Sequence, residues 1–172
     1  AVSPLQMLMP FAALANKGIM CRAKIVKSVL KTENEFQDKI PCDGKRVVSK
    51  KTAKKIIEIL GSVVSRGTGK NAELKLYKTG GKTGTAQKIV RGMKNYSDVD
   101  FIMSFVGIAP LDNPRIALIV IFDGGNLKDG SWGSTIAAPV WKRIVLRTLR
   151  YLRIPPDKAK IRIAKAKFKK EF

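Results

Sequence analysis

Apolar residues return at helical spacing almost as soon as the chain begins. Leu5, Leu8, Phe11, Ala12 and Ala15 fall at helical intervals, Ser3 is a good N-cap, and Pro4 suits the first helical position. Gly18 supplies a stop, so the pattern predicts an amphipathic or buried helix over 4–17. The period then changes to two. Between Lys24 and Thr32, Ile25, Lys27 and Val29 alternate with Val26, Ser28 and Leu30, which predicts a strand. Pro41-Cys42-Asp43-Gly44 marks a turn. Ser49 caps a second helix whose face carries Ala53, Ile56, Ile57, Leu60, Val63 and Val64 and which ends near Arg66-Gly67-Thr68-Gly69-Lys70.

Three strand signals follow, over 82–90, 101–109 and 115–122, the first directly after Thr79-Gly80-Gly81. The link from Pro110 to Pro114 is too short for a crossover helix, so the second and third strands should pair antiparallel. After a glycine-rich loop over 123–134, Pro139 opens a last helix with Trp141, Ile144, Val145, Leu149 and Leu152 on its apolar face, ended by Pro155-Pro156. The sum is an α+β fold, an antiparallel β-sheet flanked by helices.

Length and composition agree with one domain: 172 residues, 45% of them hydrophobic. The charge changes the picture more. Lys plus Arg is 34 against 13 for Asp plus Glu, a net +21. Residues 142–172 hold 12 basic and 2 acidic side chains, or +10, which leaves +11 for the rest. The organisation expected is a packed part over 1–156 and a basic C-terminal tail over 157–172, expected to be disordered. Such a tail is either solvated or meets an anionic partner. Nucleic acid is disfavoured because rings for base stacking are few there, Tyr151, Phe168 and Phe172. No His is present, which excludes imidazole catalysis and histidine metal ligation within the chain; no metal or cofactor is expected. Cys21 and Cys42 match no zinc or redox spacing. A disulfide and two free thiols both stay open, with ordinary thiols the simplest reading. The longest apolar runs, such as 116–122, fall far short of the ~20 residues that span a bilayer. The opening Ala1-Val2-Ser3-Pro4 has no initiator Met and no signal peptide, and it reads as a cut start.

The informative segment is Gly81-Lys82-Thr83-Gly84-Thr85-Ala86-Gln87. A phosphate-binding loop would need a glycine at 76, where Leu stands, and a helix after the lysine, where the pattern is a strand. That reading is rejected. The other mechanistic reading is the Lys-Thr-Gly element of penicillin-recognising serine enzymes. On an edge strand, Lys82, Thr83 and Thr85 could point into a groove on alternate residues and meet a substrate carboxylate. Gly84 leaves room for close backbone approach, and a bound peptide could extend the sheet. The Thr85 backbone N–H could then stabilise an oxyanion. The bland alternative is a turn and a strand with an exposed lysine.

Taken together, several motifs resemble the C-terminal part of the transpeptidase domain of a class B penicillin-binding protein of the division type, over about residues 2–156. Val2-Ser3-Pro4-Leu5-Gln6 resembles the helix after that family's second motif, and 66–72 the loop before its third. Residues 80–87 are similar to the third motif, 104–110 to the strand after it, and Ala137-Ala138-Pro139-Val140 to the start of the last helix. Trp132 stands where the family suggests a Tyr.

The resemblance implies a partial penicillin-binding transpeptidase (serine β-lactamase-like) fold. It also implies peptidoglycan D,D-transpeptidase activity on D-Ala-D-Ala stem peptides and acylation by β-lactams. Lys82, Thr83, Gly84 and Thr85 would bind substrate, with the Thr85 N–H in the oxyanion hole. The family's Ser-x-x-Lys nucleophile and Ser-x-Asn motif have no usable counterpart. Ser28-Val29-Leu30-Lys31 matches by letters but lies in a strand pattern, where residues three apart face opposite sides. The 172 residues alone are therefore expected to be inactive, poorly soluble and dependent on a missing upstream half. The family further implies partners in the division or elongation machinery and a place on the outer face of the bacterial cytoplasmic membrane, anchored upstream. Arg66, Lys70, Asp129 and Trp132 are lesser candidates for the groove. A β-lactamase or β-lactam sensor of the same fold is an alternative, and a basic nucleic-acid- or membrane-binding protein is one from another class.

Overall fold

The computed structural model describes residues 2–26, 29–32, 35–37, 42–89, 92, 95–124 and 132–158. Helix α1 runs Pro4–Ala15. Its first turn is closed by a reciprocal cap in which Gln6 N–H donates to Ser3 Oγ and Ser3 N–H to Gln6 Oε1. Gly18, at φ +88°, donates its N–H to the Ala13 carbonyl and ends the helix. Ile19–Met20 (β1) pairs with Lys45–Arg46 (β4), and Val29–Thr32 (β2) with Glu35–Gln37 (β3), both antiparallel. Helix α2, Lys50–Arg66, starts at the Ser49 cap.

The strand expected over 24–32 is thus found only from Val29 onward. Residues 21–26 are irregular, and Ile25 and Val26 are exposed. The cause is a covalent tie. Cys21 is bonded to Cys42, which corrects the reading of two ordinary thiols, and Lys24 pairs with Asp43 at 3.7 Å. With Ile19–Met20 already paired to Lys45–Arg46, the alternation at 24–26 has no sheet to join. Ser28 lies outside the described residues, while Lys31 lies in β2, as the strand reading expected.

The central sheet has the order β5-β6-β7, made of Gly80–Ile89, Tyr96–Ala109 and Ile116–Asp123, all antiparallel. The 110–114 link joins β6 to β7 as its length required. Strand β6 starts five residues earlier than expected, because Tyr96 pairs with Ile89 across a register shift after Gln87.

Helix α3, Ala138–Tyr151, follows a π-helical turn over Gly133–Ala137. It covers one face of the sheet. A Cβ on Gly107 would lie 2.7 Å from the Trp141 ring, and the buried Trp141 donates its indole N–H to the Leu118 carbonyl at 2.9 Å. Phe105 meets Trp141 edge to face at 5.2 Å. Helix α2 lies on the other face, where Gly80 closes on Gly61. Of α1's residues only Ala13 is buried; Leu5 and Met7 are exposed. The expected apolar face of α3 is buried at Trp141, Val145 and Leu149 but not at Ile144 and Leu152.

The packed part of the chain reaches two residues past the expected boundary at 156. Asp157 Oδ1 accepts from the Lys78 N–H at 2.8 Å. Lys158 donates to the Leu74 carbonyl at 2.8 Å and to Glu73 at 3.0 Å. Tyr77 adds a bond from its hydroxyl to the Ile154 carbonyl at 2.7 Å. These contacts clamp segment 73–78, the lead into β5. The remainder of the expected tail, 159–172, lies outside the described residues.

Candidate functional site

Lys82, Thr83, Gly84 and Thr85 lie in β5, the edge strand of the sheet, opposite Val106, Phe105, Ser104 and Met103 of β6. Strand periodicity puts Thr83 and Thr85 on one face and Lys82 and Gly84 on the other. The three polar side chains are therefore divided between the two faces of the strand. All three stand on a strand that has a neighbour on one side only among the described residues. Lys82 and Thr85 are exposed and Thr83 is half-buried. The Lys82 ammonium donates to the Thr83 carbonyl at 2.9 Å, so its charge is held along the strand.

Two further segments close on this strand. The loop after α2 brings the Thr68 hydroxyl within 3.3 Å of the Thr83 hydroxyl. A 3-10 turn over Lys70–Ala72 follows, and Asn71 Nδ2 donates to the Ser134 carbonyl at 2.9 Å. Gly133 lies against the strands: a Cβ there would stand 2.6 Å from the Ser104 carbonyl oxygen and 2.7 Å from that of Gly84. The strand, the 67–72 loop and the 133–137 turn thus form one unit, in which hydroxyls and an ammonium border an open strand edge. Such an edge can pair with an extended peptide, while Lys82 and the hydroxyls can bind a carboxylate.

The lesser candidates divide. Arg66 donates to Ser62 Oγ of its own helix at 3.3 Å, and Lys70 is exposed in the 3-10 turn. Trp132 is exposed, and its neighbour Gly133 touches the strands. Asp129 lies outside the described residues. Ser134 and the close approach of Gly133 escaped sequence reasoning, because nothing local distinguishes them from other loop residues. A cavity of about 830 Å³ lies elsewhere, between the end of α1, α2 and the 111–114 link, and none of residues 82–85 lines it. Among the described residues no cluster could hold a metal ion, and no helix is long and apolar enough to cross a membrane.

This architecture has known counterparts. Residues 1–146 match the penicillin binding protein transpeptidase domain, and the chain belongs to that family, on the class B side of it. Stage V sporulation protein D of Bacillus subtilis is 36% identical over 165 residues, covering 94% of this chain and 25% of the relative. A probable peptidoglycan D,D-transpeptidase PenA of Neisseria flavescens is 38% identical over 116 residues, covering 67% and 28%. Penicillin-binding protein 3 of Mycobacterium tuberculosis, solved in complex with aztreonam, superposes with a TM-score of 0.76 at 33% identity, over 90% of this chain and 36% of that one. The chain spans about a quarter of the length of the curated relatives it matches.

Proposed function

We propose that these residues form the C-terminal part of a peptidoglycan D,D-transpeptidase that crosslinks stem peptides ending in D-Ala-D-Ala and is acylated by β-lactams. The observation that carries this reading is the Lys82–Thr85 edge strand, held by the 67–72 loop and the 133–137 turn. Lys82, Thr83 and Thr85 bind the terminal carboxylate of the stem peptide, and Gly84 admits its backbone. The Thr85 N–H contributes to the oxyanion hole.

Upstream residues supply the nucleophile. An activated Ser attacks the carbonyl of the penultimate D-Ala, the peptide bond breaks, and D-Ala leaves with a proton. The amine of a second stem then displaces the Ser from the acyl-enzyme. The 172 residues alone carry out neither step. The whole protein acts at the outer face of the cytoplasmic membrane, anchored upstream, within the division or elongation machinery.

The test is fluorescent-penicillin labelling of the complete protein. Lys82→Ala removes a charge-assisted contact of about 1.5–3 kcal/mol, so acylation should slow roughly ten- to a hundredfold while the fold survives. Labelling at the unaltered rate would remove the role given to Lys82. Labelling of the 172-residue chain by itself would show that it holds a nucleophile after all.

A further inference from the structure

Thr83 is held at both of its polar ends. The Lys82 ammonium donates to its carbonyl at 2.9 Å, and the Thr68 hydroxyl stands 3.3 Å from its own hydroxyl. Thr68 reaches this point on a loop fixed by contacts that do not involve its side chain. The Gly67 and Gly69 N–H groups both donate to the Val63 carbonyl at 3.0 Å, and the Ala72 N–H donates to the Gly69 carbonyl at 2.9 Å. Asn71 is tied to the Ser134 carbonyl, and the buried Thr79 hydroxyl donates to the Ala72 carbonyl at 3.3 Å. Gly69 is itself buried; a Cβ there would stand 3.2 Å from Val64 Cγ2 and 3.4 Å from Phe105 Cε2. Phe105 is the cross-strand partner of Thr83, and directly opposed residues lie on one face of a sheet. Packing Gly69 on Phe105 therefore delivers the preceding residue to the Thr83 side chain.

A carboxylate only accepts hydrogen bonds, so Thr83 must give up its one hydroxyl proton to bind it. A lone hydroxyl is free to turn that proton elsewhere. A second hydroxyl that donates to the Thr83 oxygen fills an acceptor position and leaves the proton for the ligand. Either threonine can be the donor in the free protein. An anion that takes the Thr83 proton leaves Thr68 as the donor, and two such bonds in series polarise each other.

We propose that Thr68 is a positioning residue for carboxylate recognition, acting through Thr83. This rests on the transpeptidase reading above, in which Thr83 binds the carboxylate of the stem peptide and, in its place, that of a β-lactam. The part of Thr68 is to set which way Thr83 donates, not to touch the ligand.

The experiment is acylation of the complete protein over a range of penicillin concentrations, for Thr68→Val, Thr68→Ser, Thr83→Val and the double valine variant. Valine keeps the shape of threonine and removes the hydroxyl. Loss of one neutral hydrogen bond should slow acylation by Thr68→Val about three- to tenfold at low penicillin. The carboxylate is bound both before and during acylation, so the loss should show as a higher half-saturating concentration with the limiting rate unchanged. Thr68→Ser should restore most of the rate. In the Thr83→Val background, Thr68→Val should have no further effect. Fully additive losses would show that Thr68 acts independently of Thr83 and overturn the proposal. So would a loss that serine does not relieve and that comes with a lower unfolding midpoint, since Thr68 would then only pack the loop. If Lys82→Ala and Thr83→Val slow acylation and Thr68→Val does not, the proposal alone falls. If none of the three slows it, the carboxylate site itself is misassigned and both fall.

Discussion

Gly84 offers a test that separates packing from ligand approach. A Cβ built there lies 2.5 Å from Ser104 Oγ but 3.9 Å from Ser104 Cβ. The obstacle is therefore one hydroxyl on a rotatable bond, and turning it aside costs about 0.5–1.5 kcal/mol. Against this, alanine in a strand interior is favoured over glycine by about 0.5–1 kcal/mol. Gly84→Ala should then be close to neutral or destabilising by at most about 1 kcal/mol. In a Ser104→Ala background the hydroxyl is gone, only the 3.9 Å contact remains, and the same change should stabilise by about 0.5–1 kcal/mol. The coupling between the two positions, about 1 kcal/mol, is read from urea unfolding of the four proteins of the cycle. A Gly84→Ala effect that is the same in both backgrounds would refute the packing argument. Penicillin acylation of the complete protein supplies the second arm. Where stability is regained but acylation stays slow, the glycine serves the ligand; where both return together, it serves only Ser104.

Other outcomes follow from single contacts. Trp141→Phe should cost about 1–3 kcal/mol in denaturant midpoint, since it unmakes the bond to the Leu118 carbonyl and leaves a gap beside Phe105. Truncation after Lys158 should leave the unfolding midpoint in place, whereas truncation after Pro156 should lower stability by about 1–3 kcal/mol by releasing Lys78, Leu74 and Glu73. Reducing the Cys21–Cys42 bond, which spans 21 residues, should cost about 3 kcal/mol on the chain-entropy account, measured by unfolding with and without reductant. Lys88 is held above its ordinary value of 10.5 by its hydrogen bond and attraction to Asp123. A raised lysine adds stability that is whole below the unfolded value and is lost as pH rises through the folded one. Lys88→Met should accordingly flatten the stability profile on the alkaline side above about 10.5, and an unaltered alkaline limb would remove that linkage.

Much of this protein was legible in order of residues. Helices α1, α2 and α3 and strands β5, β6 and β7 follow from periods of 3.6 and 2 bounded by Ser3, Ser49, Gly18 and Pro110, because those signals act over a few neighbouring residues. The Lys82–Thr85 segment was legible too, as a strand carrying a motif. Contacts between distant segments were not. The Cys21–Cys42 bond overrides the alternation at 24–26, and nothing in that alternation announces it. Asp157 and Lys158 read as the start of a charged tail, yet they clamp the lead into β5 some 80 positions earlier, at separations of 79 and 84–85. Only the packed structure sets Gly133 on the Gly84 and Ser104 carbonyls and the Thr68 hydroxyl beside that of Thr83. Local chemistry decides which element forms; which surfaces then meet is decided by burial and hydrogen bonding summed over the whole chain.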